Sequence, residues 1–179
     1  GGGHEITYYA CKAFGEKFSN SGIIIFDAHP DCNVKFNKPG HKDLVIALIE
    51  EKIFKPENII LAGIRKFDEG ELNFLDKWKI KFYNAHEISS EGIHEICDSV
   101  MSAAKNFGAL YLSIDIDVID PAFIPGVSYP EPGGLSSREL VYSVQRLKNL
   151  KNLRAADICE TSDTKETILL AAKIVSELV

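Results

Sequence analysis

"IIIFDAHPDCN", residues 23–33, sets four apolar residues before an alternating row of Asp27, His29 and Asp31. Ile-rich runs of this length read as a strand buried on both faces. A second row follows the same grammar: "LYLSIDIDVIDP", residues 110–121, sets an apolar run before Asp115 and Asp117. Two buried strands that each end in carboxylates decide the reading of the whole chain.

Further β-branched runs lie at 59–63, 80–83 and 154–158, and the two rows complete strands at 22–27 and 110–115. Segments with helical spacing lie between them at 4–18, 42–52, 68–77, 91–106 and 136–147, with a last one at 163–178. Strands alternating with helices predict a mostly parallel sheet covered on both faces. The strands read as apolar throughout. One domain over residues 1–179 is expected. The irregular stretch 120–134 holds four of the seven prolines and directly follows the second acidic row. A loop this long inside a compact domain is usually functional. Ligands of open α/β sheets bind at the carboxyl ends of the strands, where both rows fall.

Composition excludes several functions. Net charge is −6, with no basic stripe, which argues against nucleic acid or an anionic membrane surface as partner. No run approaches the ~20 apolar residues of a membrane span. Cys11, Cys32, Cys97 and Cys159 are far apart and form no CxxC pair, so a reduced, cytoplasmic setting is expected. The chain opens on "GGGH" with no strand before it, and its only methionine is Met101; a missing N-terminal part is the expectation.

Side chains at i and i+2 of an extended segment point the same way. Asp27, His29 and Asp31 therefore converge if the chain stays extended, and so do Asp115 and Asp117. Four carboxylates at neighbouring strand ends repel one another unless cations sit between them. Carboxylates with added imidazole suit manganese. Their charge matches two divalent ions with a shared hydroxide as nucleophile. One Asp at a strand end is ordinarily a turn former or cap, and Asp120 before Pro121 reads that way. The pattern D-x-H-x-D with S-x-D-x-D-x-x-D-P is far more specific.

These motifs, in the order "GGGH", "DAHPD", "SIDIDVIDPAFIPG", "EPGGLSSRE" and "DICE", resemble the ureohydrolases: arginase, agmatinase, guanidinobutyrase and formimidoylglutamase. The resemblance implies a three-layer α/β/α sandwich with two manganese ions at the strand ends. It implies hydrolysis of a C–N bond in a small guanidino or formimidoyl compound, and trimeric or hexameric assembly. It implies metal ligation by His4, Asp27, His29, Asp31, Asp115 and Asp117, with Asp27 and Asp115 bridging. His4 and Asp31 would complete one ion, His29 and Asp117 the other. Asp31 would also hold the hydroxide. Glu160 matches the carboxylate that grips the planar cation of the substrate, and His41 a proton-relaying histidine of arginases. Asn33, Asp68 and Glu71 match arginase positions that recognise the substrate's tail. His86 and His94 match no ligand.

"GGGHE" and "PGVSYP" lean towards formimidoylglutamase, "AGIRKFDEGE" towards arginase and "EPGGLSSREL" towards agmatinase. Lys35, Lys38 and Lys42 follow the metal motif and would suit a carboxylate-bearing tail, so formimidoylglutamate is slightly favoured, with agmatine or arginine close behind. Two other classes are weighed. A deacetylase-like amide hydrolase on a related fold uses a single zinc, fewer ligands than this set offers. A non-catalytic subunit of the same fold would be signalled by a lost ligand, and none is lost.

Overall fold

The computed structural model describes residues 2–33 and 39–179. Its centre is β1 (Gly22–Phe26), buried along its whole length. Ile23 and Ile25 enter one apolar cluster, and Ile24 and Phe26 enter the other. This is the period-two alternation of a strand with both faces covered. Each fully buried isoleucine contributes roughly 1.5–3 kcal/mol, which anchors the polar row that follows.

Around it lie β2 (Ile59–Ile64), β3 (Lys81–Asn84), β4 (Leu110–Asp115) and β5 (Leu153–Cys159). The sheet order is β3-β2-β1-β4-β5, with every pairing parallel. One face is covered by α1 (Glu5–Lys17), α2 (Leu44–Glu50) and α3 (Glu69–Trp78), which bury Tyr8, Phe14, Leu48 and Leu75 against it. The other is covered by α4 (Ala85–Glu91), α5 (Ile93–Ala104), α6 (Ser137–Leu147) and α7 (Lys165–Leu178), through Ile88, Ile96, Val144 and Ile174. The result is a three-layer α/β/α sandwich on a parallel sheet.

Two readings of the sequence need correction. The helix expected over 91–106 is α5, but a further helix that was not expected, α4, precedes it and ends at Gly92, whose φ is +90°. α4 starts at a capping box in which Asn84 and Glu87 exchange side-chain and backbone hydrogen bonds of 2.8 Å. Its seven residues bury only Ile88, so no apolar periodicity registers. Nor are the strands apolar throughout. The edge strands expose Lys81 on β3, and Arg154 and Ala156 on β5, where the sheet ends.

The order reverses at β1, which has β2 on one flank and β4 on the other. Such a switch point opens a crevice at the carboxyl ends. The β1–β4 register pairs Phe26 with Ile114, so the next residues along the two strands are Asp27 and Asp115.

Candidate metal centre

The two acidic rows converge by turning, not by staying extended. β1 ends at Phe26, and Asp31 has φ +47°, a left-handed conformation that aspartate tolerates better than most residues. Beyond β4 the chain enters a 3-10 turn, Ile116–Val118, where Asp115 Oδ1 accepts the Asp117 N–H at 2.9 Å. The pleat rule finds the right residues, but tight turns bring them together.

One donor group forms around His4, which is 1% exposed. Its Nδ1 lies 3.0 Å from Asp27 Oδ2, 2.9 Å from Asp31 Oδ2 and 3.4 Å from Asp115 Oδ2. The His4 backbone N–H donates to Glu160 Oε1 at 3.0 Å, which fixes the entry to α1. Behind the ring, His4 Nε2 lies 3.1 Å from Ser113 Oγ. The carboxylate of Asp157 accepts from Ser113, Thr7 and Tyr111 hydroxyls at 2.7, 2.8 and 2.7 Å. With its proton committed to Asp157, Ser113 must accept from Nε2–H. In the neutral ring, the form that binds a cation, the Nδ1 lone pair then faces three carboxylate oxygens. Nδ1 and Asp27 Oδ2 are buried and, despite their 3.0 Å separation, neither makes a hydrogen bond among the described residues. Orphaned acceptors aimed at one point are what a bound cation satisfies.

The second group shares Asp27. His29 Nδ1 lies 3.0 Å from Asp117 Oδ2 and 3.5 Å from Asp27 Oδ1. Backbone donors brace it: His29 N–H to Asp27 Oδ1 at 2.7 Å, and Ala28 N–H to Asp117 Oδ1 at 3.0 Å. Within each trio, His4–Asp27–Asp31 and Asp27–His29–Asp117, the donor atoms lie within 4.8 Å of one another.

The electrostatics show the strain of this crowding. Burial and the Asp27 charge push Asp31, Asp115 and Asp117 above the usual carboxylate range. Burial would raise Asp27 too, but His29 and His4 outweigh it and bring it to about 2. Burial would lower both histidines, yet the carboxylates win: Asp27 and Asp31 raise His4, while Asp117 and Asp27 push His29 up to about 10. Protons stand in where cations would neutralise the cluster. Four carboxylates, two imidazoles and two orphaned atoms therefore suit metal-cation binding.

The other expected residues line the same cavity of about 570 Å³: Asn33, His41, Asp68, Glu71 and Glu160. Asp68 and Glu71 cap α3 through reciprocal hydrogen bonds of 2.8 and 3.0 Å, which hold both carboxylates at the rim. The His41 ring stacks on Tyr129 at 5.4 Å, with Nε2 buried and without a hydrogen bond among the described residues. Lys42 Nζ lies 5.1 Å from the Tyr129 ring centroid. Lys35 and Lys38 lie outside the described residues. His86 and His94 are exposed and away from this cavity.

Reading the sequence missed Tyr129, Glu131, Lys66 and Phe67 as cavity walls, and Ser113 and Asp157 as supports of His4. A signal existed for Ser113: it is a hydroxyl inside a strand that is otherwise apolar up to its terminal Asp115.

A sequence model of the arginase family matches residues 1–179. An arginase of Staphylococcus aureus (strain MRSA252) is 30% identical over 179 aligned positions, covering 90% of this chain and 59% of that protein. The chain thus spans less than two thirds of the relative's length. Among solved structures, a proclavaminate amidino hydrolase from Streptomyces clavuligerus superposes with a TM-score of 0.91 at 30% identity, over 99% of this chain and 60% of that one. A formimidoylglutamase from Bacillus subtilis gives a TM-score of 0.91 at 25% identity, over 99% of this chain and 58% of that one.

Proposed function

The chain belongs to the arginase family, and on that premise we propose that it is a binuclear metal hydrolase cleaving a C–N bond of a small guanidino or formimidoyl compound. The observation that supports this most directly is the pair of donor trios sharing Asp27, with His4 Nδ1 and Asp27 Oδ2 left without hydrogen bonds. His4, Asp27, Asp31 and Asp115 would hold one ion, and Asp27, His29, Asp115 and Asp117 the other. When bound, the ions, manganese by this donor set, supply an activated water and stabilise the charge that develops during its attack.

The protein's own groups do the rest. Glu160 pairs with the planar cation through a charge-assisted contact and holds the reacting carbon over the ions. Its Oε1 is fixed by the His4 N–H, so the carboxylate is oriented before substrate arrives. Asp31 accepts a hydrogen bond from the attacking water. His41, on the cavity wall against Tyr129, passes a proton to the leaving nitrogen.

The tail of the substrate is chosen by the rim. Asp68 and Glu71 suit an ammonium group, and Asn33 and Lys42 suit a carboxylate. An arginine-like tail carries both. The second reading is formimidoylglutamate, favoured by "GGGH", by "PGVSYP" and by the likeness to the Bacillus subtilis structure. Its tail ends in carboxylates alone and leaves the two rim acids unpaired. The four buried thiols suit a reducing, cytoplasmic setting.

The test is a panel of arginine, agmatine, 4-guanidinobutyrate and formimidoylglutamate with manganese-loaded protein, scoring urea against formamide. Urea from arginine supports the first reading, and formamide from formimidoylglutamate the second. Turnover of simple amides with none from the panel would sink the amidine assignment.

A further inference from the structure

Arg65 follows β2 and is half-buried beside the second donor group. Among the described residues its guanidinium makes six hydrogen bonds, all to backbone carbonyls. Nε donates to Glu131 O at 3.0 Å. Nη1 donates to Gly63 O at 3.3 Å and Val118 O at 3.1 Å. Nη2 donates to Asp117 O at 2.7 Å, Ile119 O at 3.4 Å and Glu131 O at 2.8 Å. Three consecutive carbonyls, 117–119, thus converge on one planar fork. The backbone adds a further tie: Arg65 N–H donates to Ala28 O at 2.9 Å, between Asp27 and His29.

One residue therefore touches both halves of the trio Asp27–His29–Asp117, and also the loop that forms the cavity wall at Tyr129 and Glu131. The space for it is reserved. A Cβ on Gly134 would meet Arg65 Nη2 at 2.7 Å and Val118 O at 2.7 Å. Lysine, a point donor on a flexible stem, cannot span these carbonyls.

We propose that Arg65 is a positioning residue for the second ion: its guanidinium holds the Asp117 turn and the Glu131 loop in register with His29. The inference rests on the binuclear reading above. It differs from a general stapling role, which would weaken both ions and the fold together. The ligand that the fork holds directly, Asp117, belongs to one trio only, so loosening its turn acts first on that ion.

The experiment compares wild type with Arg65→Lys, stripped by chelator and titrated with manganese by calorimetry and by electron paramagnetic resonance. Arg65→Lys should bind the first ion as wild type does and the second about 10–100-fold more weakly, as expected when a support behind a ligand is lost. At two equivalents its spectrum should show isolated manganese in place of the exchange-coupled pair of wild type. A wild type that takes two ions, with Arg65→Lys taking both as tightly and fully coupled, overturns this inference alone. A wild type that takes fewer than two overturns the binuclear reading and this inference with it. Should Arg65→Lys not fold, hydrogen exchange on the unaltered chain decides. The second equivalent of metal should slow exchange at residues 117–120 and 131–135 together, and slowing at 117–120 alone contradicts the clamp.

Discussion

Asp27 is the side chain on which both donor trios depend, and Glu160 is the one whose two tasks can be separated. Glu160 anchors the His4 N–H through Oε1 and, on our reading, grips the substrate's cation. Glutamine keeps a carbonyl oxygen for His4 but loses the charge. Glu160→Gln should therefore retain manganese at wild-type stoichiometry while kcat/KM falls about 100-fold or more, since orientation of the reacting carbon is lost. Glu160→Ala should in addition weaken metal binding, because His4 loses its backbone anchor. Steady-state kinetics with metal analysis checks both, and unchanged turnover in Glu160→Gln contradicts the assigned role. The two acidic rows with His29 were legible from residue type and spacing, whereas His4 was reached only through the family resemblance; the structure brings all six side chains together. Arg65, Ser113, Asp157 and Tyr129 were not legible, because each acts through contacts between segments far apart in the chain. A carbonyl acceptor also leaves no trace in the residue type: Asp117, Val118 and Ile119 hold Arg65 with backbone alone.

Elements were read well where both faces are buried and less well at edges and turns. β1, β2 and β4 announce themselves as apolar runs, whereas α4 is revealed only by its capping box. The acidic rows were expected to converge along an extended chain, yet a left-handed Asp31 and a 3-10 turn at 116–118 bring them together. Backbone shape at this end of the sheet is thus a separate requirement, and glycine meets it at β2. The register slips between Ala62 and Ile64, Gly63 has φ +98°, and a Cβ there would clash with Val118 Cγ2. Gly63→Ala adds a disfavoured conformation to an overpacked contact and should destabilise by about 3 kcal/mol. Gly92 also has positive φ, at +90°, but has no atom within 4 Å of a built Cβ. Gly92→Ala should therefore lose only about 1 kcal/mol, the conformational part. Urea melts of the two variants make the comparison, and equal losses would contradict the steric part of the account.

At the scale of the whole molecule, two apolar layers lock the sheet, and the switch point between β1 and β4 gathers the charge. Without an ion that gathering is held by protons. His29, carried to about 10 by its carboxylates against burial, keeps a proton that the unfolded chain loses near 6.5, and the raised carboxylates Asp31, Asp115 and Asp117 act in the same sense. The folded state then binds more protons than the unfolded one. The stability this gives is fully present below the unfolded pKa of His29 and is lost as pH rises towards its folded value. In chelator, the urea midpoint should fall between pH 6.5 and pH 8.5. With manganese the ligands exchange protons for metal, so the stabilisation by the ion should grow over the same interval. An ion-free protein that is more stable at pH 8.5 contradicts this charge balance. The fold class and its cation-demanding end were legible from hydrophobic pattern and acid spacing. The choice of tail was not, because it depends on how rim residues beyond β1, beyond β2 and in the proline-rich loop face one cavity. The most direct test of the central claim is the manganese content of stripped and reloaded protein, measured for wild type, Asp117→Ala and Asp27→Ala. The account predicts close to two ions per chain for wild type, one for Asp117→Ala and close to none for Asp27→Ala, whose carboxylate serves both trios. Fewer than two ions in wild type, or two retained in Asp27→Ala, would contradict it.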